Sequence, residues 1–192
     1  ERFLGLFTSS AYMARPWDIP LVRMKHAQVM RESGLKPQGH SGKALRHILE
    51  TLPRDELLQA SADELFDTAM NVLALAERAR VRVFVRRDIY GRFYSCLVYL
   101  PRDRFNQDVR ERIETTMRRA FAGERIDSAA HVGDEAVARL HLIIRPKAGE
   151  QPNVQVEELE TRIAGIVRNW YDDLKDALVQ KHGEEKGLKL AN

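Results

Sequence analysis

The sequence of residues 78–105 is RARVRVFVRRDIYGRFYSCLVYLPRDRF, two apolar runs separated by a turn that carries Gly91. In the first run, valine alternates with arginine or phenylalanine, a period of two that is typical of a strand with one buried face and one wet face. The second run, residues 93–100, is apolar on both faces, as expected for a central strand. The stretch therefore predicts a β-hairpin that continues through a corner at residues 101–105 into a helix.

The residues after this hairpin change between helical and strand-like spacing. Asn106 is a suitable N-cap for the first predicted helix. Strands are predicted near residues 125–134 and 137–145, and a long last helix over residues 155–182. The apolar helix faces are Val109, Ile113, Met117 and Phe121 in the first helix and Val156, Leu159, Ile163, Val167, Trp170, Leu174 and Leu178 in the last.

The predicted order of elements is strand, strand, helix, strand, strand, helix. Moving the last strand of a βαββαβ ferredoxin-like unit to its front produces this order. We therefore predict an α+β fold, in which a helical segment precedes a ferredoxin-like ββαββα unit. Its strands form one antiparallel four-stranded sheet with two helices on one face.

The region before the hairpin carries helix start and stop signals. Pro20 suits the first turn of a helix and Gly34 suits its end. Ser41 is a candidate N-cap for a second helix, and Ser61 with Glu64 has the spacing of a capping box. These signals predict a mainly helical segment.

The chain is expected to be a piece of a longer protein. Residues 2–7 have the composition of a strand but lack a partner among the helical residues that follow, and the chain begins with glutamate rather than methionine. We predict three parts. They are residues 1–79, the end of a preceding domain plus a helical connector; residues 80–182, a domain that includes the long last helix; and residues 183–192, a tail or the start of another segment.

The composition of the 192 residues is that of a globular protein, with 44% hydrophobic and 31% charged residues and a net charge of +3. No apolar run approaches the roughly 20 residues that cross a bilayer, so no membrane association is predicted. Cys96 lies in an apolar strand, where we predict a buried free thiol, and a single cysteine fits a reducing cytoplasm. The excess of arginine on the hairpin indicates either a solvated face or a site for an anion or an acidic partner.

Motifs for catalysis and cofactor binding are missing from the sequence. It contains no Gly-x-Gly-x-x-Gly turn for a dinucleotide, no paired-cysteine or His-Glu-x-x-His pattern for zinc, and no Gly-x-Ser-x-Gly frame for a nucleophile. We therefore predict no catalytic residue, no metal site and no cofactor within this chain.

Three motifs resemble the very large NAD-specific glutamate dehydrogenases of bacteria. They are RFLGLFTSSAY at residues 2–12, GKALRHILETLPRDELLQ at 42–59 and RDIYGRFYSCLVYLPRDRF at 87–105. The resemblance implies a non-catalytic part of the N-terminal regulatory region, with an ACT-like domain over the predicted ββαββα unit. For the whole enzyme it implies a cytoplasmic protein that oxidises L-glutamate to 2-oxoglutarate and ammonia, with NAD and the catalytic residues held elsewhere.

The resemblance also implies where a ligand binds. ACT domains often pair through sheet edges or helices, and they bind small effectors, commonly amino acids, in the loop between a strand and the following helix. In this sequence that loop holds Arg102, Asp103 and Arg104, followed by Asn106. The open alternative is that Asp103 or Asn106 only caps the helix, while the arginines are solvated or pair with Asp108 and Glu111.

Two other functions remain open at the level of sequence. The hairpin could belong to a nucleic-acid-binding ferredoxin-like domain, in which aromatic residues among arginines stack on bases. The chain could also be a structural spacer that holds subunits together. The leading interpretation, a regulatory and oligomerisation module, predicts contacts with other domains and between copies, a possible amino-acid effector and no nucleic acid. The aromatic residues of the hairpin are Phe84, Tyr90, Phe93, Tyr94 and Tyr99.

Overall fold

A computed structural model describes residues 8–75, 78–168, 177–184, 186 and 190. The chain divides into two compact units, residues 1–78 and 79–192, and each is described by itself. The strand predicted at residues 2–7 lies outside the described residues. So do Trp170 and Leu174 of the predicted last helix.

The N-terminal unit is helical, as predicted. Pro20 occupies the first turn of its second helix, and Gly34 follows the end of that helix with a φ of +64°, a conformation that glycine adopts readily. The capping box is confirmed, because Ser61 N–H donates to Glu64 and Glu64 N–H donates to the Ser61 hydroxyl. The helices are α1 (Ser9–Met13), α2 (Pro20–Glu32), α3 (His40–Thr51), α4 (Arg54–Gln59) and α5 (Ala62–Leu75).

The predicted N-cap of α3 is wrong. Gly39 holds that position with extended backbone and no side-chain cap, so Ser41 already lies inside the helix. The backbone at Lys36 passes very close to Gly42 in the first turn of α3. A Cβ at Gly42 would lie 2.1 Å from the carbonyl oxygen of Lys36, so the position requires glycine. The close approach of this backbone sets where the helix begins, and a serine cap is not needed.

The core of the N-terminal unit is formed by one apolar face from each longer helix. Val22 and Val29 of α2, Leu45 of α3 and Ala69 of α5 are fully buried. Lys25 Nζ donates to the carbonyl oxygens of residues 57, 58 and 60, at 3.1, 2.9 and 2.6 Å. These bonds satisfy carbonyl groups that have no partner at the end of α4, and they connect α2 to that end.

The C-terminal unit has the predicted α+β architecture. Its sheet has the order β1-β2-β4-β3, and every neighbouring pair is antiparallel. This is the strand order of a ferredoxin-like sheet whose last strand has been moved to the front, and β2 is central as predicted. The elements are β1 (Arg82–Arg87), β2 (Tyr94–Pro101), α6 (Gln107–Ala120), β3 (Gly123–His131), β4 (Val137–Pro146) and α7 (Val156–Val167).

One face of the sheet packs against α6 and α7. The predicted apolar face of α6 is confirmed, and Cys96 is buried within the same core without forming a disulfide. Tyr94 lies against Phe121 with ring centroids 4.9 Å apart. The remaining core residues include Val98, Leu100, Ile113, Met117, Leu140, Leu142, Ile144, Leu159 and Ile163.

The long last helix is interrupted. Helix α7 ends at Val167, and Arg168 has extended backbone with φ −63° and ψ 145°. The prediction of one continuous helix over residues 155–182 is therefore wrong at this residue, although residues 177–182 are helical. The spacing of apolar residues continues past Val167, so it does not predict that the helix ends there. The helix ends because the backbone of a single residue changes its ψ angle.

The other face of the sheet is also largely buried at its centre, in agreement with the apolar residues on both faces of β2. Leu97 and Tyr99 of β2 are 4% exposed, and Arg139 of β4 is 9% exposed. Burial raises the pKa of the Tyr99 hydroxyl, and the neighbouring Arg139 opposes that rise. Phe84 of β1 meets Tyr99 edge to face at 5.9 Å, so the face predicted to be wet is partly closed by its own side chains.

Candidate ligand site

A cleft of about 540 Å³ lies where β2 passes into α6. Its wall is formed by the corner after β2, the first turns of α6 and the last residues of α7. Two of these segments are more than fifty positions apart in the sequence and meet only because both helices pack on the same face of the sheet. The lining residues are Asp103, Arg104, Asn106, Asp108, Val109, Arg112, Ile166, Val167 and Arg168.

The α6 side of the cleft is the positive pole of a helix. Asn106 is the N-cap, as predicted, and its side-chain oxygen accepts a hydrogen bond from Val109 N–H at 2.9 Å. The first N–H groups of a helix have no acceptor within the helix, and Asn106 satisfies one of them. The remaining N–H groups of this turn and the helix dipole favour an anion, above all a carboxylate or a phosphate.

The α7 side of the cleft is the negative pole of a second helix. Ile166, Val167 and Arg168 line it, and Arg168 N–H donates to the carbonyl of Ala164 at 3.0 Å. The last carbonyl groups of a helix lack intrahelical donors and favour a cation. The cleft therefore lies between the N-terminal pole of α6 and the C-terminal pole of α7, and its lining carries both acidic side chains, Asp103 and Asp108, and basic ones, Arg112 and Arg168 among them.

Exposed ion pairs surround the cleft. Arg104 Nε lies 3.3 Å from Asp103, and Arg112 Nη1 lies 3.6 Å from Asp108. The acidic partners are 74% and 78% exposed, so both pairs are surrounded by water and contribute little to stability. A ligand that offered a carboxylate to an arginine or an amine to an aspartate would replace these contacts at a small energetic cost.

The structure brings together only part of the predicted set. Asp103, Arg104 and Asn106 line the cleft, whereas Arg102 does not. Arg102 Nη1 donates to the carbonyl of Gly133 at 3.0 Å, and its N–H donates to Ala136 at 3.0 Å. Arg102 therefore joins the corner to the β3–β4 turn, because a 3-10 turn over Arg102–Arg104 directs neighbouring side chains to different sides.

Three charged lining residues were missed by sequence reasoning as ligand contacts. Asp108 and Arg112 stand four positions apart in the first turns of α6, a spacing that marks one helix face and could have indicated them. No such signal exists for Arg168, since its position depends on the end of α7. The described residues contain no group of three or more histidine, cysteine, aspartate or glutamate side chains suited to a metal ion.

Among the described residues, none of the helices is both long enough and apolar enough to cross a bilayer.

Two family models match the chain, one in each unit. Residues 19–78 match helical motif 1 of glutamate dehydrogenase, and residues 82–171 match the ACT2 domain of glutamate dehydrogenase. The first match covers most of the helical unit, and the second begins at the first residue of β1 and runs past α7.

Curated relatives agree with the family models. The chain is 39% identical over 190 residues to the NAD-specific glutamate dehydrogenase of Halomonas elongata and 39% identical over 189 residues to that of Pseudomonas aeruginosa. It is 35% identical over 188 residues to the enzyme of that name from Mycobacterium tuberculosis. These matches cover 99%, 98% and 91% of this chain but only 12%, 12% and 11% of the relatives. The chain therefore belongs to the NAD-specific glutamate dehydrogenase family, as a segment that carries its helical motif 1 and its ACT2 domain.

Proposed function

We propose that this chain is a non-catalytic regulatory module of an NAD-specific glutamate dehydrogenase, and that it binds an amino-acid effector in the cleft. The observation that carries this proposal is a cleft that combines the opposite poles of two helices with both acidic and basic side chains. A free amino acid has a carboxylate and an ammonium group on one carbon, so a site with both polarities suits it better than a site with one. The volume of about 540 Å³ lies within the usual range of small-molecule sites.

The proposed contacts follow from the charges of the wall. The carboxylate binds at the N-terminus of α6, where Arg112 adds a bidentate contact and Arg104 is a second cation of the same wall. The ammonium group binds toward the C-terminus of α7, with Asp103 as the nearby carboxylate. Arg102 has no part in this arrangement, because it is bonded to the β3–β4 turn.

The activity of the whole protein is part of the same proposal. The relatives are named NAD-specific glutamate dehydrogenases, which supports oxidation of L-glutamate with NAD and water to 2-oxoglutarate, ammonia and NADH in the cytoplasm. We assign the chemistry and NAD to residues outside this chain. Within it, we propose a helical connector up to residue 79, an ACT-like domain over residues 80–182 and a further segment from residue 183.

A role in assembly is a second candidate function, which the sheet edges favour. On β1, Glu160 accepts a hydrogen bond from Val83 N–H at 2.8 Å and pairs with Arg82 at 3.2 Å, so α7 closes this edge. On β3, no strand pairs with the outer edge among the described residues. We therefore propose β3 as the edge for contact between copies. Light scattering should give twice the monomer mass of 22.1 kDa, and a monomer at all concentrations would contradict it.

The nucleic-acid alternative has less support. Stacking on bases needs exposed aromatic rings, but Tyr94 lies in the helix-facing core at 7% exposure and Tyr99 is 4% exposed. Tyr90 alone among the hairpin tyrosines is exposed. One ring at the end of a hairpin does not form a stacking platform.

The test is thermal unfolding of the chain in the presence of single amino acids, with nucleotides as a second panel. A true effector at about one hundred times its Kd should stabilise the fold by about 2.7 kcal/mol and raise Tm by several degrees. Arg112→Ala should remove the shift. Arg162→Ala is the matched control, because Arg162 lies on α7 beside a different cleft of about 170 Å³ and should leave the shift unchanged.

Two outcomes would contradict the effector proposal. If no amino acid raises Tm, the cleft is a structural corner in this chain. If one does so equally in the wild-type chain and in Arg112→Ala, it binds at another place. A separate expectation concerns NAD: the chain alone should neither bind it nor form NADH from glutamate, which fluorescence at the NADH emission band would detect.

A further inference from the structure

The tip of the β1–β2 hairpin, residues 88–93, presents two apolar side chains to solvent. Ile89 is 84% exposed and Tyr90 is 75% exposed. They are adjacent in sequence and lie in the turn between the strands, beyond the last paired residues Arg87 and Tyr94. Single exposed apolar residues are common on soluble proteins, but two large ones at the end of a projecting hairpin form a contiguous apolar surface.

The tip is held in one conformation. Asp88 is 6% exposed, and its carboxylate accepts hydrogen bonds from Tyr90 N–H at 3.2 Å and Arg92 N–H at 3.3 Å. The guanidinium of Arg92 adds two more, at 2.8 and 3.1 Å. Backbone bonds from Asp88 to Phe93 and from Gly91 to Asp88 close the turn. These bonds therefore hold the backbone from which Ile89 and Tyr90 project.

Arg92 also orders the aromatic ring. Its guanidinium carbon lies 5.0 Å from the centre of the Tyr90 ring and 5.9 Å from that of Phe93. Tyrosine and arginine are the residue types that dominate binding energy in protein interfaces, and side chains fixed beforehand lose little entropy on binding. Arg92 holds the turn through Asp88, whereas the exposed Tyr90 ring contacts Arg92 only from outside the core, as is typical of an interface anchor.

The charge around the tip indicates the chemistry of its partner. Residues 86–92 carry three arginines and one aspartate, so although Arg92 pairs with Asp88, the net charge of the stretch is positive. A complementary surface is therefore an apolar pocket with carboxylates at its rim. The relatives provide the setting, since this chain corresponds to only 12% of their length.

We propose that the hairpin tip docks into an apolar, acid-rimmed pocket on another domain of the same glutamate dehydrogenase, outside the residues of this chain. The proposal rests on the assignment of the chain to a longer enzyme. It does not require an effector. The cleft lies at the opposite end of the sheet, because β2 begins beside the tip at Tyr94 and ends beside the cleft at Pro101.

The experiment uses the full-length enzyme with the photoreactive amino acid p-benzoylphenylalanine in place of Tyr90. After irradiation, mass spectrometry of the digest should identify a cross-linked peptide from outside this chain, with acidic residues near the point of attachment. The same label at Val132 is the matched control. Val132 is 52% exposed, stands in the β3–β4 turn at the other end of the sheet and should not link to that peptide.

A second variant separates docking from mere proximity. Ile89→Asp in the labelled enzyme should lower the yield of that cross-link severalfold, because a carboxylate enters an apolar pocket rimmed with carboxylates. The proposal is overturned if the label at residue 90 gives no cross-linked peptide in higher yield than the label at Val132 does. It is also overturned if the label links only to this chain in a second copy, to nucleic acid or to an unrelated protein. Failure of the amino-acid screen would not affect these readouts, so the two proposals fail separately.

Discussion

The two ends of the sheet in the C-terminal unit are built by different means. The tip at residues 88–93 is made by six neighbouring residues, with one buried carboxylate that holds the turn. The cleft at the other end is made by residues 103–112 and 166–168, which meet only through the packing of α6 and α7. The tip exposes two apolar side chains on a hydrogen-bonded turn, and the cleft is charged and bordered by exposed ion pairs. Local bonds determine the first surface, whereas the fold determines the second.

The largest expected effect concerns the core that both ends share. Ile113 of α6 is fully buried among residues from the sheet and α7. Ile113→Ala should lower the free energy of unfolding by about 3–4 kcal/mol, while Ile113→Val should lower it by about 1 kcal/mol. Urea denaturation followed by circular dichroism measures both. A loss below about 1 kcal/mol for alanine would mean that α6 is not packed on the sheet as described.

The next effect distinguishes the cleft from the tip. Asn106→Ala removes the side-chain cap of α6 and should lower the free energy of unfolding by about 1 kcal/mol. It should also weaken the Tm shift caused by an amino-acid effector, because the first turn of α6 becomes less ordered. Asn106→Ser is the control, since serine caps about equally well and adds no charge to the cleft. If the alanine variant has the stability of the parent chain, the cap contributes nothing.

The matching change at the tip is Asp88→Asn, which should lower the free energy of unfolding by about 1 kcal/mol after allowance for the exposed Arg92. Hydrogen bonds from Arg92 lower the pKa of Asp88 from 3.8 to about 2. A lowered pKa gives stability that is complete above about pH 4 and lost as pH falls toward 2.

The pH dependence provides the check. Thermal unfolding at pH 6, 4 and 3 gives the difference in free energy of unfolding between the parent chain and Asp88→Asn. This difference should be nearly the same at pH 6 and pH 4 and smaller at pH 3. Asp103→Asn is the control, because Asp103 is 74% exposed and forms only a surface pair. A difference that grows on acidification would contradict the role given to Asp88.

The sequence predicted the elements that depend on neighbouring residues. The strand β1, the N-cap at Asn106 and the capping box at Ser61 each depend on neighbouring residues, and each is confirmed, although β1 does not alternate between a buried and an exposed face. The arrangement of the strands in one antiparallel sheet was also predicted correctly, because few topologies connect this order of elements. Cys96 was correctly predicted to be buried, because both faces of its strand are apolar.

The parts that the sequence did not predict depend on contacts between distant residues or on single backbone angles. Helix α7 ends because Arg168 has an extended ψ angle, and the apolar pattern of the sequence does not indicate this. The position of Arg168 in the cleft depends on that helix end, so the sequence does not indicate it either. Arg102 was grouped with Arg104 because they are two positions apart, yet a 3-10 turn separates their side chains. The effector site itself stays a prediction, as do the domain boundaries at residues 79 and 182.

The smallest expected effect is the one that separates binding from folding at the tip. Tyr90 is 75% exposed, and its side chain contacts Arg92 without filling any part of the core. Tyr90→Ser should therefore change the free energy of unfolding of this chain by less than about 0.5 kcal/mol, as is usual for surface positions. Denaturation curves of the two proteins should overlap. In the full-length enzyme the same change should loosen the contact with the docking domain, which limited proteolysis would detect as faster cleavage between the domains. If Tyr90→Ser destabilises the isolated chain by 1 kcal/mol or more, the ring belongs to the structure of the hairpin, and the contrast between a folding core and a binding tip is lost.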